Sequence, residues 1–174
     1  MFFKNLISVP FLLIAACSSK PVKLELDKTY SKRLDTEFIS SISCPISLVV
    51  IDERKNKKTY AKIIDSETLM NWVELAFQES IERPQLSDDT QSRLIDVEIR
   101  VRQAYVHHLS TSHSAILAID LNIDRSQYYI RGQDTDVLWW GATSEYTTNM
   151  NGALDKVMFD ISEIISLRCQ DKPI

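Results

Sequence analysis

The chain has 174 residues, with 24 acidic and 20 basic side chains, a net charge of −4, 44% hydrophobic residues and only three glycines. That length suits one domain with a packed core, and the composition excludes global disorder. The acidic balance argues against a nucleic-acid partner, and Gly132, Gly141 and Gly152 cannot build a glycine-rich phosphate loop.

The first segment couples one positive charge, Lys4, to an apolar run from Leu6 to Ala16. The run is shorter than the roughly 20 apolar residues a transmembrane helix needs. A basic start, an apolar stretch and small residues at its end are the parts of a secretory signal. The closing Ile14-Ala15-Ala16-Cys17 resembles the bacterial lipobox. That resemblance implies cleavage before Cys17 and acylation of its thiol and new amino end. Ser18 follows, where an aspartate would resemble an inner-membrane retention signal, so the anchor is expected in the outer membrane, facing the periplasm. Several acyl chains, at about 0.8 kcal/mol per buried methylene, give a firm attachment. The chain is thus divided into a signal (1–16), a lipidated Cys17 with a polar tether (17–43), and a globular domain (44–170). If Cys17 takes lipid, Cys44 and Cys169 remain, either as a disulfide in an oxidising compartment or as two buried thiols.

Within the domain, Ile46 to Asp52 is a compact β-branched run that reads as a buried strand. A charged turn, Glu53 to Lys58, follows it, and Thr59 to Asp65 reads as a short strand or a lead into a helix. Leu69, Trp72, Val73, Ala76, Phe77 and Ile81 form one apolar stripe at helical spacing, with Asp65 or Ser66 as the cap and Pro84 as the stop. Next comes a clear alternation. Ile95, Val97, Ile99 and Val101 point one way, and Asp96, Glu98, Arg100 and Arg102 point the other. The parity changes after Gln103, which predicts a bulge or a strand end. His107 to His113 reads as a polar connection, and Leu117, Ile119, Leu121 and Ile123 mark a second alternating strand. A further strand is predicted from Ser126, with a turn near Arg131–Asp134, built on Gly132-Gln133, and another strand from about Val137 to Tyr146. A second helix is predicted from Asn149, with Met150, Ala153, Leu154, Val157, Ile161, Ile164 and Ile165 as its apolar stripe.

Two amphipathic helices and one sheet with a single apolar face define an α+β, two-layer sandwich, mainly antiparallel, with both helices on one face. The other face, with Glu98, Arg100 and Arg102, stays open to solvent or a partner. Asp96, Asp120, Asn122 and Asp124 are placed on it as well. Adjacent Trp139 and Trp140 point to opposite faces, one into the core and the other either half-covered by a neighbouring side chain or exposed as an aromatic anchor for a partner. Neither a metal nor a cofactor is expected. His107, His108 and His113 lack a familiar ligand spacing, and adjacent histidines on a strand diverge. No G-x-S-x-G elbow is present, and an enzymatic role is not expected.

The Trp72 helix, "DVEIRVRQAYV", "SAILAIDLNI" and "WWGATSEYTTNMNGALDKVMFDISEII" occur in a strand, helix, meander, helix order downstream of the lipobox. This order resembles the YajG-like lipoproteins and the ABC-type transport auxiliary lipoproteins. The resemblance covers about Ile46 to Ile165 and implies a non-enzymatic envelope lipoprotein that docks or assists a transport complex through a protein partner. A lipid- or small-ligand-binding lipoprotein is the alternative, and it would place an apolar cavity between sheet and helices.

Overall fold

In the computed structural model, residues 22–23, 44–59, 62–81, 94–108, 110–137 and 143–170 are described. The β-branched run at Ile46 forms β2 (Ile46–Asp52), and the alternating segments form β5 (Ile95–His108), β6 (Ser112–Ile123) and β7 (Ser126–Val137). These four strands make one sheet in the order β2-β5-β6-β7. β2 runs parallel to β5, with Ile46 opposite Ile95 and Asp52 opposite Val101, and the other two pairings are antiparallel. Val22–Lys23 (β1), Lys58–Thr59 (β3) and Lys62–Ile63 (β4) form a small separate sheet, with β1 coming from the polar tether.

The helices are α1 (Ser66–Ser80) and α2 (Thr143–Gln170). Asp65 caps α1 by accepting the Thr68 amide, which satisfies one of the donors left unpaired at a helix start. Both helices lie on the same side of the sheet, α2 against β6 and β7, α1 against β2 and α2. Their stripes meet the inward residues of the strands. Leu69, Trp72, Ile99, Leu121, Met150 and Leu154 are among the fully buried side chains. Between the helices the Trp72 indole N–H donates to Asn151 Oδ1 at 3.0 Å, so the one polar atom of that ring is satisfied inside the core. Cys44 and Cys169 are joined in a disulfide, with Cα atoms 5.7 Å apart, tying the start of β2 to the end of α2. Among the described residues no helix is long and apolar enough to cross a membrane.

Five predicted details are corrected. The turn near Arg131–Asp134 does not form. β7 continues through it, with Gly132 opposite Leu117 and Gln133 opposite Ile116. Gly132 serves a different purpose, because a Cβ there would run into the Ala153 carbonyl oxygen of α2. The glycine therefore marks where helix and sheet backbones approach most closely. The hairpin turn lies instead at Asp124-Arg125, where Asp124 adopts a left-handed φ of 52°, a conformation aspartate tolerates better than most residues. Asp124 thus belongs to the turn and not to the open face. The strand predicted from about Val137 to Tyr146 is also corrected: β7 reaches Val137, residues 138–142 lie outside the described residues, and Thr143 to Tyr146 are helical, so α2 starts six residues before the predicted Asn149. Thr143, Ser144 and Thr147 are poor markers of a helix interior, and tertiary packing of Tyr146 decides the matter. Finally, the His107–His113 connection shrinks to 109–111, because β5 and β6 pair out to His108 opposite His113.

Candidate functional site: the open sheet face

Strand alternation puts every second residue of β5 and β6 on the side the helices leave bare. Two rows cross it, namely Val49, Glu98, Asn122 and Gln127, then Ile51, Arg100, Asp120 and Tyr129. Their side chains form a connected charge network. Arg100 donates to Glu98 at 2.6 Å and to Glu53 at 3.0 Å. Asn122 also donates to Glu98, at 2.7 Å. Arg102 donates to Asp120 at 2.5 Å and to the second oxygen of Glu53. Glu53, the residue directly after β2, therefore bridges both arginines.

The electrostatics follow from these bonds. Hydrogen bonds from Arg100 and then Asn122 hold the Glu98 carboxyl below the ordinary glutamate range. In return Glu98, and secondarily Glu53, push the Arg100 guanidinium further toward its charged form. Exposed pairs of this kind contribute little to stability. Their chief effect is to hold long side chains in fixed positions before any partner arrives. Val49 (50% exposed) and Tyr129 (63% exposed) flank the network on either side. A preformed polar centre bounded by exposed apolar side chains has the makings of a recognition surface.

The structure thus brings Glu98, Arg100 and Arg102 together as their alternation predicts. Trp139 and Trp140 lie outside the described residues. Glu53 escaped sequence reading because it sits in a charged turn, and the only available signal was its place immediately after a buried strand. Val49 and Tyr129 were legible in principle as apolar residues at outward positions.

At the other end of the sheet the histidines part company. His107 is exposed on the open side. His113 is 1% exposed under α2, its ring tilted against Tyr146 at 5.3 Å between centroids, with neither ring nitrogen hydrogen-bonded. Among the described residues no group of three metal-ligating side chains converges.

A second charged cluster lies behind the end of β2. The Asp52 carboxylate accepts from Arg54 Nε at 2.8 Å and Nη2 at 2.9 Å, and Nη2 also donates to the Ile64 carbonyl at 2.8 Å. Both side chains are almost wholly buried. Burial pushes the Asp52 carboxyl up, but hydrogen bonds from Arg54 and Ser66 outweigh it and bring the value down to about 2. Arg54 is thus a structural clamp between β2 and the start of α1.

Fold and surface together define a two-layer α+β domain with one bare, charged sheet face. No family model and no curated protein matches the chain. Among solved structures it is similar to the Xanthomonas campestris protein XCC0632, described as DUF330. The TM-score is 0.50 at 13% identity, covering 80% of this chain and 94% of that one. A crystal structure of an uncharacterized protein aligns with TM-score 0.40 at 8% identity over 73% of this chain and 93% of that one. At such identities the first likeness is one of fold alone.

Proposed function

We propose that this chain is a non-enzymatic lipoprotein of the bacterial envelope, anchored in the outer membrane through Cys17, whose open sheet face docks a protein partner. Three observations support the reading. Ile14-Ala15-Ala16-Cys17 resembles a lipobox. The Cys44–Cys169 disulfide suits an oxidising compartment such as the periplasm. The fold likeness to a DUF330 protein is compatible with the resemblance to YajG-like and ABC-type transport auxiliary lipoproteins. The docking role is carried by one observation, the Glu53–Arg100–Arg102 network prepositioned on a face that neither helix covers.

A photo-crosslinking phenylalanine analogue at Tyr129 in the full chain, irradiated in intact cells, tests this. The control is the same analogue at Leu167, exposed on α2 away from the sheet face. The expected result is a discrete protein adduct from position 129, absent from 167 and lost in Cys17→Ser. Identical adducts from both positions, or none, would overturn the docking role. An adduct that survives Cys17→Ser would overturn the anchor.

A further inference from the structure

After Glu53, whose amide still donates to the Val101 carbonyl at 3.0 Å, the chain leaves the edge of the main sheet. Arg54 is clamped inward, and Asn56 Oδ1 accepts the Lys58 amide at 2.9 Å to close a turn. The chain then returns beside β5 at β3. On the opposite wall β5 bulges between Val101 and Gln103, which leaves Arg102 and Gln103 both exposed in succession. Between turn and bulge lies a cavity of about 550 Å³, lined by Glu53, Lys55, Asn56, Lys58 and the β5 segment from Arg102 to Val106. Its size falls within the range of about 300–1,000 Å³ usual for small-molecule sites.

The charge around this cavity is not balanced. Among the described residues its single carboxylate, Glu53, is engaged by Arg100 and Arg102. Lys55 and Lys58 have no ion-pair partner among the described residues, in a chain whose net charge is −4. Two ammonium groups therefore face one concavity without a carboxylate of their own among the described residues, beside Arg102, which is already paired with Glu53 and Asp120. Asn56 and Gln103 add neutral amide donors. Bulges are frequent beside functional sites because they re-aim side chains, and here the bulge turns Arg102 and Gln103 outward together.

We infer that this cleft binds a phosphate-bearing group, held by Lys55 and Lys58 with Arg102 alongside, while Tyr105 borders the organic moiety attached to it. Ammonium donors recognise phosphate as point charges, and the cavity is much larger than phosphate alone. The same chemistry is offered by a soluble phosphate ester and by the head group of an anionic lipid. The cleft shares Glu53 and Arg102 with the open face, but its two lysines take no part in the Arg100 network, so a variant of the lysines tests the cleft separately from docking.

The test is calorimetric titration of the full chain in a neutral maltoside detergent with three probes: inorganic phosphate, glycerol 1-phosphate, and dihexanoyl phosphatidylglycerol below its micellar concentration. Dihexanoyl phosphatidylcholine, whose phosphodiester is offset by a quaternary ammonium, serves as the zwitterionic control and glycerol as the uncharged one. Saturable binding of at least one phosphate probe, weakened tenfold or more in Lys55→Gln/Lys58→Gln, is the expected result. Tighter binding of the lipid than of glycerol 1-phosphate would assign a lipid head group, and the reverse order a soluble ester. Both lysines are exposed, so the double variant should melt within a few degrees of the parent. If it does not, Lys58→Gln alone replaces it. No saturable binding by any phosphate probe, or binding equal in parent and variant, would overturn the site. Either failure would leave the Tyr129 crosslinking result untouched.

Discussion

The Asp52–Arg54 pair offers the most quantitative test of how the edge of the sheet is held. Arg54 has no exposed side-chain surface and Asp52 only 2%. Replacing Asp52 by Asn leaves a buried guanidinium whose strongest remaining bond is to the Ile64 carbonyl. Breaking a buried pair from one side typically costs about 3–5 kcal/mol. An independent figure comes from proton linkage. The carboxyl falls from an ordinary 3.8 to about 2, which at about 1.4 kcal/mol per tenfold corresponds to about 2 kcal/mol of stability. Because the folded-state value is depressed, that contribution is fully present above about pH 4 and is lost as pH falls toward 2. Urea denaturation of the parent, Asp52→Asn, Arg54→Met and the double variant at pH 7 gives the coupling energy. The expectation is a loss of at least about 3 kcal/mol for Asp52→Asn, and a double variant less destabilised than the sum of the singles by about 2 kcal/mol. Asp52→Asn should also flatten the stability profile between pH 4 and 2. A loss under about 1 kcal/mol for Asp52→Asn, or singles that add to the double, would refute the clamp.

Reduction of the Cys44–Cys169 bond, or its replacement by paired alanines, should lower stability by about 4–5 kcal/mol on the chain-entropy argument, because the bridge spans 125 residues of sequence. Denaturation with and without reductant measures it. Gly132→Ala should cost at least about 1–3 kcal/mol, since its Cβ meets helix backbone that cannot step aside. Gly152→Ala should cost less in the same melts, because it meets the Asp134 side chain. His113→Phe keeps the ring against Tyr146 and removes two buried nitrogens that have no partner. Thermal melts should show it neutral or stabilised by about 1 kcal/mol, where a histidine with a hidden hydrogen bond would lose that much instead.

Most of the architecture was legible because burial imposes a period. The Leu69–Ile81 stripe, the alternation of Ile95 to Val101 and the parity change after Gln103 all reappear as helix, half-buried strand and bulge. Reading failed where glycine was ambiguous. Gly132 beside Gln133 has the local chemistry of a hairpin turn, yet its missing side chain makes room for α2, a contact with a helix some 20 residues further on. No local pattern distinguishes the two uses. The early start of α2 was hidden for a related reason, since Thr143 to Asn149 contains a single aromatic, Tyr146, and its burial depends on β6.

The charged residues divide along the same line. Alternation placed Glu98, Arg100 and Arg102 on one face because strand geometry alone decides that. The roles of the turn residues Glu53, Arg54, Lys55 and Lys58 depend on the path the chain takes after leaving the sheet, and adjacent residues there separate completely. Glu53 bridges two arginines on the open face, Arg54 is buried against Asp52, and Lys55 and Lys58 border a cavity. In sequence all four read as one charged turn. A run of mixed charge directly after a buried strand therefore has to be resolved residue by residue, because a single turn distributes its side chains among core, surface and cleft. If the clamp at Arg54 is what holds that turn open over the bulge, Arg54→Met should weaken phosphate binding at the cleft while leaving crosslinking at Tyr129 intact. Equal loss of both would instead mean that the edge of the sheet unfolds as a unit.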